Sequence, residues 1–381
     1  MDMMITLFLC GDVMLARGID QIHQHSVEPQ LHESYVKDAR HYVEIAEAES
    51  GEIPRNVKPA YVWGDALAVL DEVEPAARII NLETAVTTSD DHQRGKGIHY
   101  RMHPKNAAIL EAAEVDVAVL ANNHVLDWGT AGLRQTLAVL DDTDVAATGA
   151  GVDDDAAEAP AIVDVEGAGR VLVFAFAMSD SGVPRDWAAM ARFPGVNYLP
   201  NLSNQSVQRI AALVEHYAND NDLVVFSVHW GGNWGYAIAP AQRRFARALI
   251  DHADIDVVHG HSSHHVKGIE VYKDRPIIYG AGDFLNDYEG IGGHEKFHPE
   301  LTLMYLPTLN AETGQLEKLR LAPMRIHKFR LQHANAAETR WLVDTLNEQS
   351  KAFGVKVDAD DQGMLEVTWD GEARADHQPD R

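Results

Sequence analysis

The sequence predicts an α/β fold with mixed sheets, and three observations support this prediction. Short apolar runs alternate along the chain with amphipathic helical stretches, which is typical of stacked α/β layers. Two late apolar runs are separated only by Lys273, Asp274 and Arg275, which indicates an antiparallel hairpin. Hydrophobic residues make up 46% of the 381 residues, so the chain can bury a large core.

Apolar runs of strand length occur throughout the chain. They predict strands at residues 5–10, 78–80, 115–120, 145–148, 170–177, 223–228, 256–259, 269–272, 276–279, 301–306 and 316–321. Amphipathic stretches predict helices at residues 104–113, 131–140, 206–217, 240–252 and 336–352. Pro104 stands near the first turn of its helix, where proline is favoured because the amide proton it lacks has no helical partner there.

Two segments do not follow this alternation. Residues 18–56 form a polar insertion that contains four histidines, and residues 286–300 are rich in glycine and histidine. We therefore predict one main domain over residues 1–330, including the insertion, and a C-terminal helix with a polar tail over residues 331–381. The last dozen residues are polar, and we expect them to be disordered.

The formal net charge of -26 restricts the partners of this protein. Such a surface repels phosphate backbones and anionic lipid, so we expect no nucleic-acid partner and no anionic membrane surface. An anionic substrate would need a local positive centre, which bound divalent cations can supply. The oligomeric state cannot be derived from these features.

Cysteine content and the amino terminus bear on the compartment. Cys10 is the one cysteine, which excludes an internal disulfide and a thiolate metal cluster. The first apolar run is short, lacks a basic flank and continues into Gly11 and Asp12, so it predicts a core strand and not a signal peptide. No segment approaches the ~20 apolar residues of a membrane helix. We expect a cytoplasmic protein.

Side chains that can bind metals follow five of the predicted strands. They are Asp12, Glu83, Asn123, His229, and the pair His261 and His264. A single residue of this kind is more often a helix cap or a turn residue. Five strand ends of the same kind favour a ligand site, because such sites form at the carboxyl edge of parallel strands.

The ligand types restrict the choice of metal. Carboxylate, amide and imidazole groups without a thiolate suit Mn, Fe or Zn. Glu83 carries two carboxylate oxygens and could bridge two ions. Paired ions at ~3.5–4 Å clamp an in-line displacement at phosphorus and activate water near neutral pH. We therefore predict two divalent metal ions as cofactors, and an anionic small-molecule or polymer substrate.

The order of these residues resembles the calcineurin-like metallophosphoesterases, and most closely their CapA (poly-γ-glutamate capsule synthesis) family. The motifs that carry this resemblance are residues 11–17 (GDVMLAR), 81–84 (NLET), 120–129 (LANNHVLDWG), 229–231 (HWG) and 279–284 (YGAGDF). It covers about residues 5 to 285, and the Asn-Asn-His-x-x-Asp-x-Gly stretch is its most specific part. The resemblance implies a four-layer α-β-β-α sandwich with mixed sheets.

The resemblance also implies roles for the metal ligands. Asp12 and His264 would hold the first metal, and Glu83 would bridge. The second metal would be held by Asn123, His229 and His261. Met14 stands where the broader superfamily has a histidine, so the first metal lacks one ligand. We weigh His259 and His265 as substitutes and predict that neither is a ligand.

Three further residues receive catalytic roles from the resemblance. His124 follows a ligand and would act as a general acid or transition-state donor. Asp127 would orient His124, although a helix cap near Gly129 is an equal alternative. Arg17 would neutralise a substrate anion, with a structural role as its alternative.

These roles predict a phosphoesterase-like hydrolase that uses a metal-bound hydroxide, with His124 as general acid. The family resemblance implies a link to poly-γ-glutamate or capsule biosynthesis, an inference from likeness alone. Two alternatives remain open. One is a non-catalytic or accessory component of a polymer biosynthesis complex, and the other is a metal-dependent γ-glutamyl amide hydrolase.

Overall fold

The computed structural model describes residues 3–370. Its α-helices are α1 (Arg17–Ile22), α2 (Arg40–Ser50), α3 (Ala66–Val73), α4 (Ala108–Ala112), α5 (Gly129–Asp142), α6 (Asp154–Glu158), α7 (Asn204–Tyr217), α8 (Pro240–His252) and α9 (Ala336–Ser350). Within the described range, no helix is both long and apolar enough to cross a membrane.

The strands fall into two large sheets and two short pairs. They are β1 (Met4–Val13), β2 (Ala77–Leu82), β3 (Ala85–Val86), β4 (Arg101–Met102), β5 (Val117–Val119), β6 (Ala146–Thr148), β7 (Ala150–Gly151), β8 (Ala161–Val165), β9 (Gly169–Ala177), β10 (Gly195–Val196), β11 (Leu223–His229), β12 (Val257–His261), β13 (Ile269–Tyr272), β14 (Arg275–Ile278), β15 (Asp283–Leu285), β16 (Leu301–Asn310), β17 (Leu316–His327), β18 (Arg330–His333), β19 (Val355–Ala359) and β20 (Leu365–Trp369).

Both large sheets are mixed. The first has the order β19–β20–β17–β16–β1–β2–β5–β6, with β15 paired to β1 and β18 to β17. Strands β1, β2, β5 and β6 run parallel, whereas β16, β17 and β20 continue the sheet in antiparallel fashion. The second sheet has the order β13–β14–β12–β11–β9–β8, and its four central strands are parallel. The prediction of an α/β fold with mixed sheets is therefore confirmed.

The two sheets share one hydrophobic core. Leu9 of β1 and Val119 of β5 belong to the same buried cluster as Val173 of β9 and Val225 of β11. Because side chains alternate along a strand, the neighbouring residues of the second sheet face the other way. There Phe174 and Phe226 form a separate core with α7 and α8. The parallel strands of both sheets are thus held by buried side chains, and residues at their carboxyl ends are in a position to form a site.

Most predicted elements are present, with small shifts of their ends. Helix α8 has the predicted bounds, the hairpin β13–β14 is antiparallel, and β16 pairs with β17 as expected. The polar insertion at residues 18–56 is not purely irregular, since it contains most of α1 and all of α2. Helix α2 forms there because Tyr42, Val43 and Ala46 share a buried face.

The C-terminal segment contains strands that the sequence analysis did not predict. Residues after 330 include β19 and β20, and β20 extends the first sheet by pairing with β17. Val355 and Val357 are buried while Lys356 is exposed, which is the alternation of a half-buried strand. The domain division at residue 331 stays a prediction. Residues 371–381, on which the prediction of a disordered tail mainly falls, lie outside the described residues.

Candidate metal centre

The carboxyl ends of parallel strands from both sheets meet at one place. In the first sheet Asp12 is in register with Asn81 on β2 and with Asp283 on β15. The Nδ2 atom of Asn81 donates to Asp12 Oδ1 at 2.7 Å, which fixes the carboxylate. Gly11 allows β15 to come this close, because a Cβ there would lie 1.7 Å from the carbonyl oxygen of Gly282.

One group of candidate ligands consists of Asp12, His264 and Asp283, with one ligand atom from each within 4.8 Å of the others. His264 Nδ1 lies 2.8 Å from Asp283 Oδ1. Burial alone would lower the pKa of His264, but the Asp283 carboxylate raises it above its ordinary value. Asp283 therefore lies beside Asp12 and His264, the two predicted ligands of the first metal. This is the metal that lacks one ligand because Met14 stands in place of a histidine.

A second group consists of Asp12, His229 and His261, again with ligand atoms within 4.8 Å of one another. His229 and His261 are register partners on β11 and β12, and their Nδ1 atoms lie 2.8 Å apart. His261 Nδ1 is 3.7 Å from Asp12 Oδ1. Burial lowers the pKa of both histidines well below the ordinary value, so both rings are neutral bases, the form in which imidazole binds metals.

Glu83 and Asn123 border this second group. Asn123 Oδ1 lies 3.2 Å from His229 Nε2, and Glu83 Oε1 lies 3.8 Å from the same nitrogen. The structure thus brings together all six predicted metal ligands. Asp12 belongs to both groups of three, whereas Glu83 belongs to neither.

Charge and hydrogen bonding around these residues fit divalent cations. Asp12 Oδ2 is buried without a hydrogen-bond partner. Burial raises the pKa of Asp12 to about 8, with a further contribution from Asp283, and burial followed by Asp12 raises the pKa of Glu83. The carboxylates at the site are Asp12, Glu33, Glu83, Asp127, Asp283 and Asp287, and they face the cations Arg17 and Lys96. Arg17 is paired with Glu33 and Asp287 and Lys96 with Asp127, so bound divalent ions would supply the positive charge that Asp12, Glu83 and Asp283 lack.

His124 and Asp127 form a hydrogen-bonded pair beside the ligands. Asp127 Oδ2 lies 2.6 Å from His124 Nδ1 and also accepts from the backbone amide of Tyr100. The first turn of α5 has no side-chain cap, so the geometry places Asp127 against His124 and not at the helix end. The opposite ring nitrogen, His124 Nε2, lies 3.9 Å from Glu83 Oε1.

Lys96 is a site residue that sequence reasoning missed. Its Nζ contacts Asp127 Oδ1 and the carbonyl oxygen of Asn123, and lies 3.2 Å from His124 Nδ1. Burial and then Lys96 lower the pKa of His124 to about 4, against the opposing effect of Asp127. Nothing in the local pattern marks Lys96, because it lies in a loop without a strand end.

Arg17 has its charge already balanced. Its guanidinium binds Asp287 through two nitrogens and Glu33 at 3.0 Å, and it lies 3.8 Å from the ring centre of Tyr42. The residue is 3% exposed and its φ of 48° lies in the left-handed region. Arg17 reaches the wall of the site, but these contacts favour the structural alternative.

The histidines weighed as substitute ligands are engaged elsewhere. His259 Nε2 donates to the carbonyl oxygen of Cys10 at 2.7 Å, which joins β12 to β1 across the core. His265 Nε2 accepts from the amide of Gly235, and its Nδ1 lies 3.0 Å from the carbonyl oxygen of Val266. His259 Nδ1 lies 3.2 Å from Ser227 Oγ, so all four ring nitrogens of this pair of histidines have contacts outside the candidate ligands.

Four of the six predicted ligands, Glu83, Asn123, His229 and His264, line a pocket of about 440 Å³. Asp12, His261 and Asp283 are not part of its lining. Its floor includes Glu83, His229 and His264, and its wall includes His124 and Lys96. Fold and site together define an α/β protein in which carboxylates and imidazoles gather at the ends of parallel strands beside a pocket.

Comparison with known proteins identifies the family. The family model described as "Bacterial capsule synthesis protein PGA_cap" matches residues 6–288. A "Probable polyglutamine synthesis accessory protein" of Mycobacterium tuberculosis is 45% identical over 364 residues, which cover 95% of this chain and 96% of the relative. The "PGA biosynthesis protein CapA" of Bacillus subtilis is 29% identical over 268 residues, covering 68% of this chain and 66% of that protein.

The chain therefore belongs to the bacterial capsule synthesis PGA_cap family. The predicted relationship to CapA proteins is confirmed, and with it the link of this family to poly-glutamate capsule synthesis.

Proposed function

We propose that this chain is a metal-dependent, phosphoesterase-like hydrolase that serves poly-γ-glutamate or capsule biosynthesis. The observation that carries the proposal is the convergence of Asp12, His229, His261, His264 and Asp283 beside the pair His124 and Asp127. Together these groups combine candidate metal ligands with a positioned proton donor, the two parts that hydrolysis of a phosphoester requires.

The donor set suits two ions of Mn, Fe or Zn, because it contains oxygen and imidazole nitrogen but no thiolate. Asp12, His264 and Asp283 would hold the first ion. His229, His261 and Asn123 would hold the second, and Glu83 lies beside them. Asp12 would bridge in place of the predicted Glu83, because Asp12 alone belongs to both groups of ligand atoms.

Bound divalent ions would supply a nucleophile at neutral pH and offset the charge that develops on the phosphoryl group. The chain's own contribution is proton transfer. Asp127 fixes His124 through Nδ1, so Nε2 is the atom that would give a proton to the leaving oxygen. Burial and then Lys96 lower the pKa of His124 to about 4 against the effect of Asp127, so the ring of the free protein is neutral near pH 7. A substrate anion bound beside the ring would raise this pKa, and the protonated ring would then serve as the acid.

The packing also supports the four-layer α-β-β-α sandwich as the fold. Two sheets share the central core, and α7 and α8 cover the outer face of the second sheet. Leu70 of α3 and Leu133 of α5 are buried together with the strands of the first sheet.

An accessory, non-catalytic role is the second candidate, because the M. tuberculosis relative carries the name of an accessory protein. In that case metals would hold the strand ends together without turnover. A γ-glutamyl amide hydrolase would use the same centre on a different bond, and an amide substrate separates it from a phosphoesterase.

The deciding experiment combines metal analysis with turnover. The protein is purified in metal-replete buffer, its metals are counted by elemental analysis, and hydrolysis of an aryl phosphate and a γ-glutamyl anilide is measured with added Mn²⁺. We expect two metal equivalents, aryl phosphate hydrolysis, and loss of that activity in His124→Ala with unchanged metal content. The control His41→Ala removes an exposed histidine and should behave as wild type. Zero metal, or equal inertness of wild type and His124→Ala on every phosphoester, would sink the proposal.

A further inference from the structure

The upper walls of the pocket are apolar and aromatic, in contrast to its charged floor. Tyr35, Ile98, Trp234, Tyr288 and Ile291 line it above the candidate ligands. Tyr35 is 65% exposed and Ile291 is 43% exposed, although neither residue type favours water. Exposed large apolar side chains that rim a concave site commonly mark a ligand surface.

The aromatic side chains of these walls contact the candidate ligand His264 and the proposed acid His124. The ring of Trp234 lies 5.4 Å from that of His264, and the ring of Tyr288 meets His264 edge-on at 5.6 Å. The opposite side is formed by Tyr100, which stacks on His124 at 3.9 Å. A group attached to the reacting centre would therefore leave the floor directly between aromatic surfaces.

The pocket offers no unpaired cation to a polyanion. Among the described residues that line it, the lysine and arginine side chains are Lys96 and Arg17. Lys96 is paired with Asp127, and Arg17 is paired with Asp287 and Glu33. A chain of glutamates would bring one negative charge per residue and would find none of these cations free.

The adjoining cavity, of about 600 Å³, is acidic. It shares Tyr288 and Ile291 with the pocket, so a long substrate would extend into it. Its described lining contains four glutamates, one arginine and three histidines: Glu49, Glu289, Glu295, Glu300, Arg325, His294, His298 and His327. A polyanionic chain is therefore repelled on this side as well.

We propose that the pocket takes a phosphoester with one anionic centre and a flat, apolar leaving group, and that it does not take a polyanionic polymer. The inference rests on the proposed function, because it assumes that the phosphoryl group lies at the metal centre. It deepens that function by naming the substrate class: the protein would serve capsule synthesis through a small molecule.

Binding of unreactive phosphonates tests this without turnover. Calorimetry on the Mn²⁺-loaded protein compares phenylphosphonate with methylphosphonate, which differ only in the apolar group. We expect phenylphosphonate to bind at least about tenfold more tightly, because a buried phenyl ring removes much more apolar surface from water than a buried methyl group does. Poly-γ-glutamate should not displace it. Equal affinities, no binding of either phosphonate, or displacement by the polymer would overturn the proposal.

Variants of the wall residues then test which side chains cause the preference for phenylphosphonate. The double variant Tyr35→Ala with Ile291→Ala removes the exposed walls without touching a candidate ligand, and the ratio of affinities should fall to about threefold or less. Trp234→Ala should act in the same direction, with metal content measured because Trp234 contacts His264. Phe193→Ala is the control, since Phe193 is 62% exposed but lies outside the pocket lining. An unchanged ratio in both wall variants would contradict the assignment.

The two proposals can fail separately. A phenyl preference in a protein that hydrolyses no phosphoester would support this pocket and remove the proposed activity. Turnover of phosphoesters without any phenyl preference would keep the activity and overturn the substrate class.

Discussion

His229 and His261 face each other across neighbouring parallel strands, with their Nδ1 atoms 2.8 Å apart. Their other ring nitrogens are also directed, His229 Nε2 toward Asn123 Oδ1 and His261 Nε2 toward Ser227 Oγ. Two neutral imidazoles can share at most one hydrogen at such a contact, so this pair keeps nitrogen lone pairs that could bind a cation. The register of β11 and β12 thus positions a pair of ligands on rigid strands.

We expect the His261→Ala protein to bind one metal equivalent, whereas the wild type binds two. The variant removes one of the four proposed ligands of the second ion and leaves Asp12, Asn123 and His229, so His229 is the one nitrogen donor that remains among them and binding weakens. Activity on an aryl phosphate should fall by at least about a hundredfold, as for an incomplete two-metal clamp. Elemental analysis after gel filtration measures the loss, with His41→Ala as the control. Two retained equivalents would contradict the assignment of His261 as a ligand.

Asp283→Ala should weaken the other metal. Asp283 is in register with Asp12 and contacts His264, so its removal takes away both a carboxylate ligand and the group that orients His264. We expect the affinity for one Mn²⁺ to fall by about 10–100-fold, the range seen when a ligand loses its supporting partner.

Calorimetric titration of metal-free protein with Mn²⁺ measures this change. Asp91→Ala is a matched control, because Asp91 is an exposed acid outside the pocket lining. Unchanged affinity at both sites in Asp283→Ala would show that Asp12 and His264 bind without a third protein ligand.

How far the sequence predicts this site depends on how local its signals are. The strand-end positions of Asp12, His229 and His261 follow from hydrophobic runs of a few residues, and the structure gathers them as expected. Asp283 could not be assigned in the same way, because its place depends on the pairing of β15 with β1, about 270 residues apart in the chain. The motif at residues 279–284 was noticed, but its contact with Asp12 is long-range.

The same distinction holds for the fold. Helix α8 was predicted to the residue because its amphipathic face is continuous and proline opens it. Strand β20 alternates buried Leu365 and Val367 with exposed Glu366 and Thr368, a short strand pattern that the sequence analysis did not use, and its pairing with β17 is a tertiary effect. Lys96 likewise acquires its role only through the folding of its loop against Asp127.

Removing the metals should destabilise the protein. Without them Asp12, Glu83 and Asp283 remain buried together, and burial, followed by the neighbouring carboxyl groups, raises the pKa values of Asp12 and Glu83. Saturating Mn²⁺ at about a hundredfold above its dissociation constant adds about 2.7 kcal/mol to the free energy of unfolding. Thermal unfolding with EDTA and with Mn²⁺ compares the two states, and identical midpoints would argue against bound metal.

Asp127→Asn should reduce turnover while leaving the metals in place. The amide can donate to His124 Nδ1 and so favour the tautomer with its hydrogen on Nε2, but it cannot stabilise a protonated ring. Loss of the corresponding carboxylate in a serine protease lowers kcat by about 10⁴, so a fall of about 10²–10⁴ is expected here.

To test Asp127→Asn, kcat and KM are measured together with the metal content of the variant. Lys96→Arg keeps the positive charge beside position 127 and should retain more activity than Lys96→Met. Full activity of Asp127→Asn would leave Asp127 with a purely structural role.

Substitution of Arg17 distinguishes a structural role of this residue from a role in substrate binding. The guanidinium is buried between Asp287 and Glu33, so Arg17→Met leaves two buried carboxylates without their cation. We expect a loss of about 3–5 kcal/mol in the free energy of unfolding, as when one partner of a buried ion pair is removed. Because the paired charge is not free for a substrate anion, KM for an aryl phosphate should change little in the folded fraction. Urea unfolding and steady-state kinetics measure the two effects, with Arg40→Met, an exposed ion-pair residue, as control. A large rise in KM with unchanged stability would instead assign Arg17 to substrate binding.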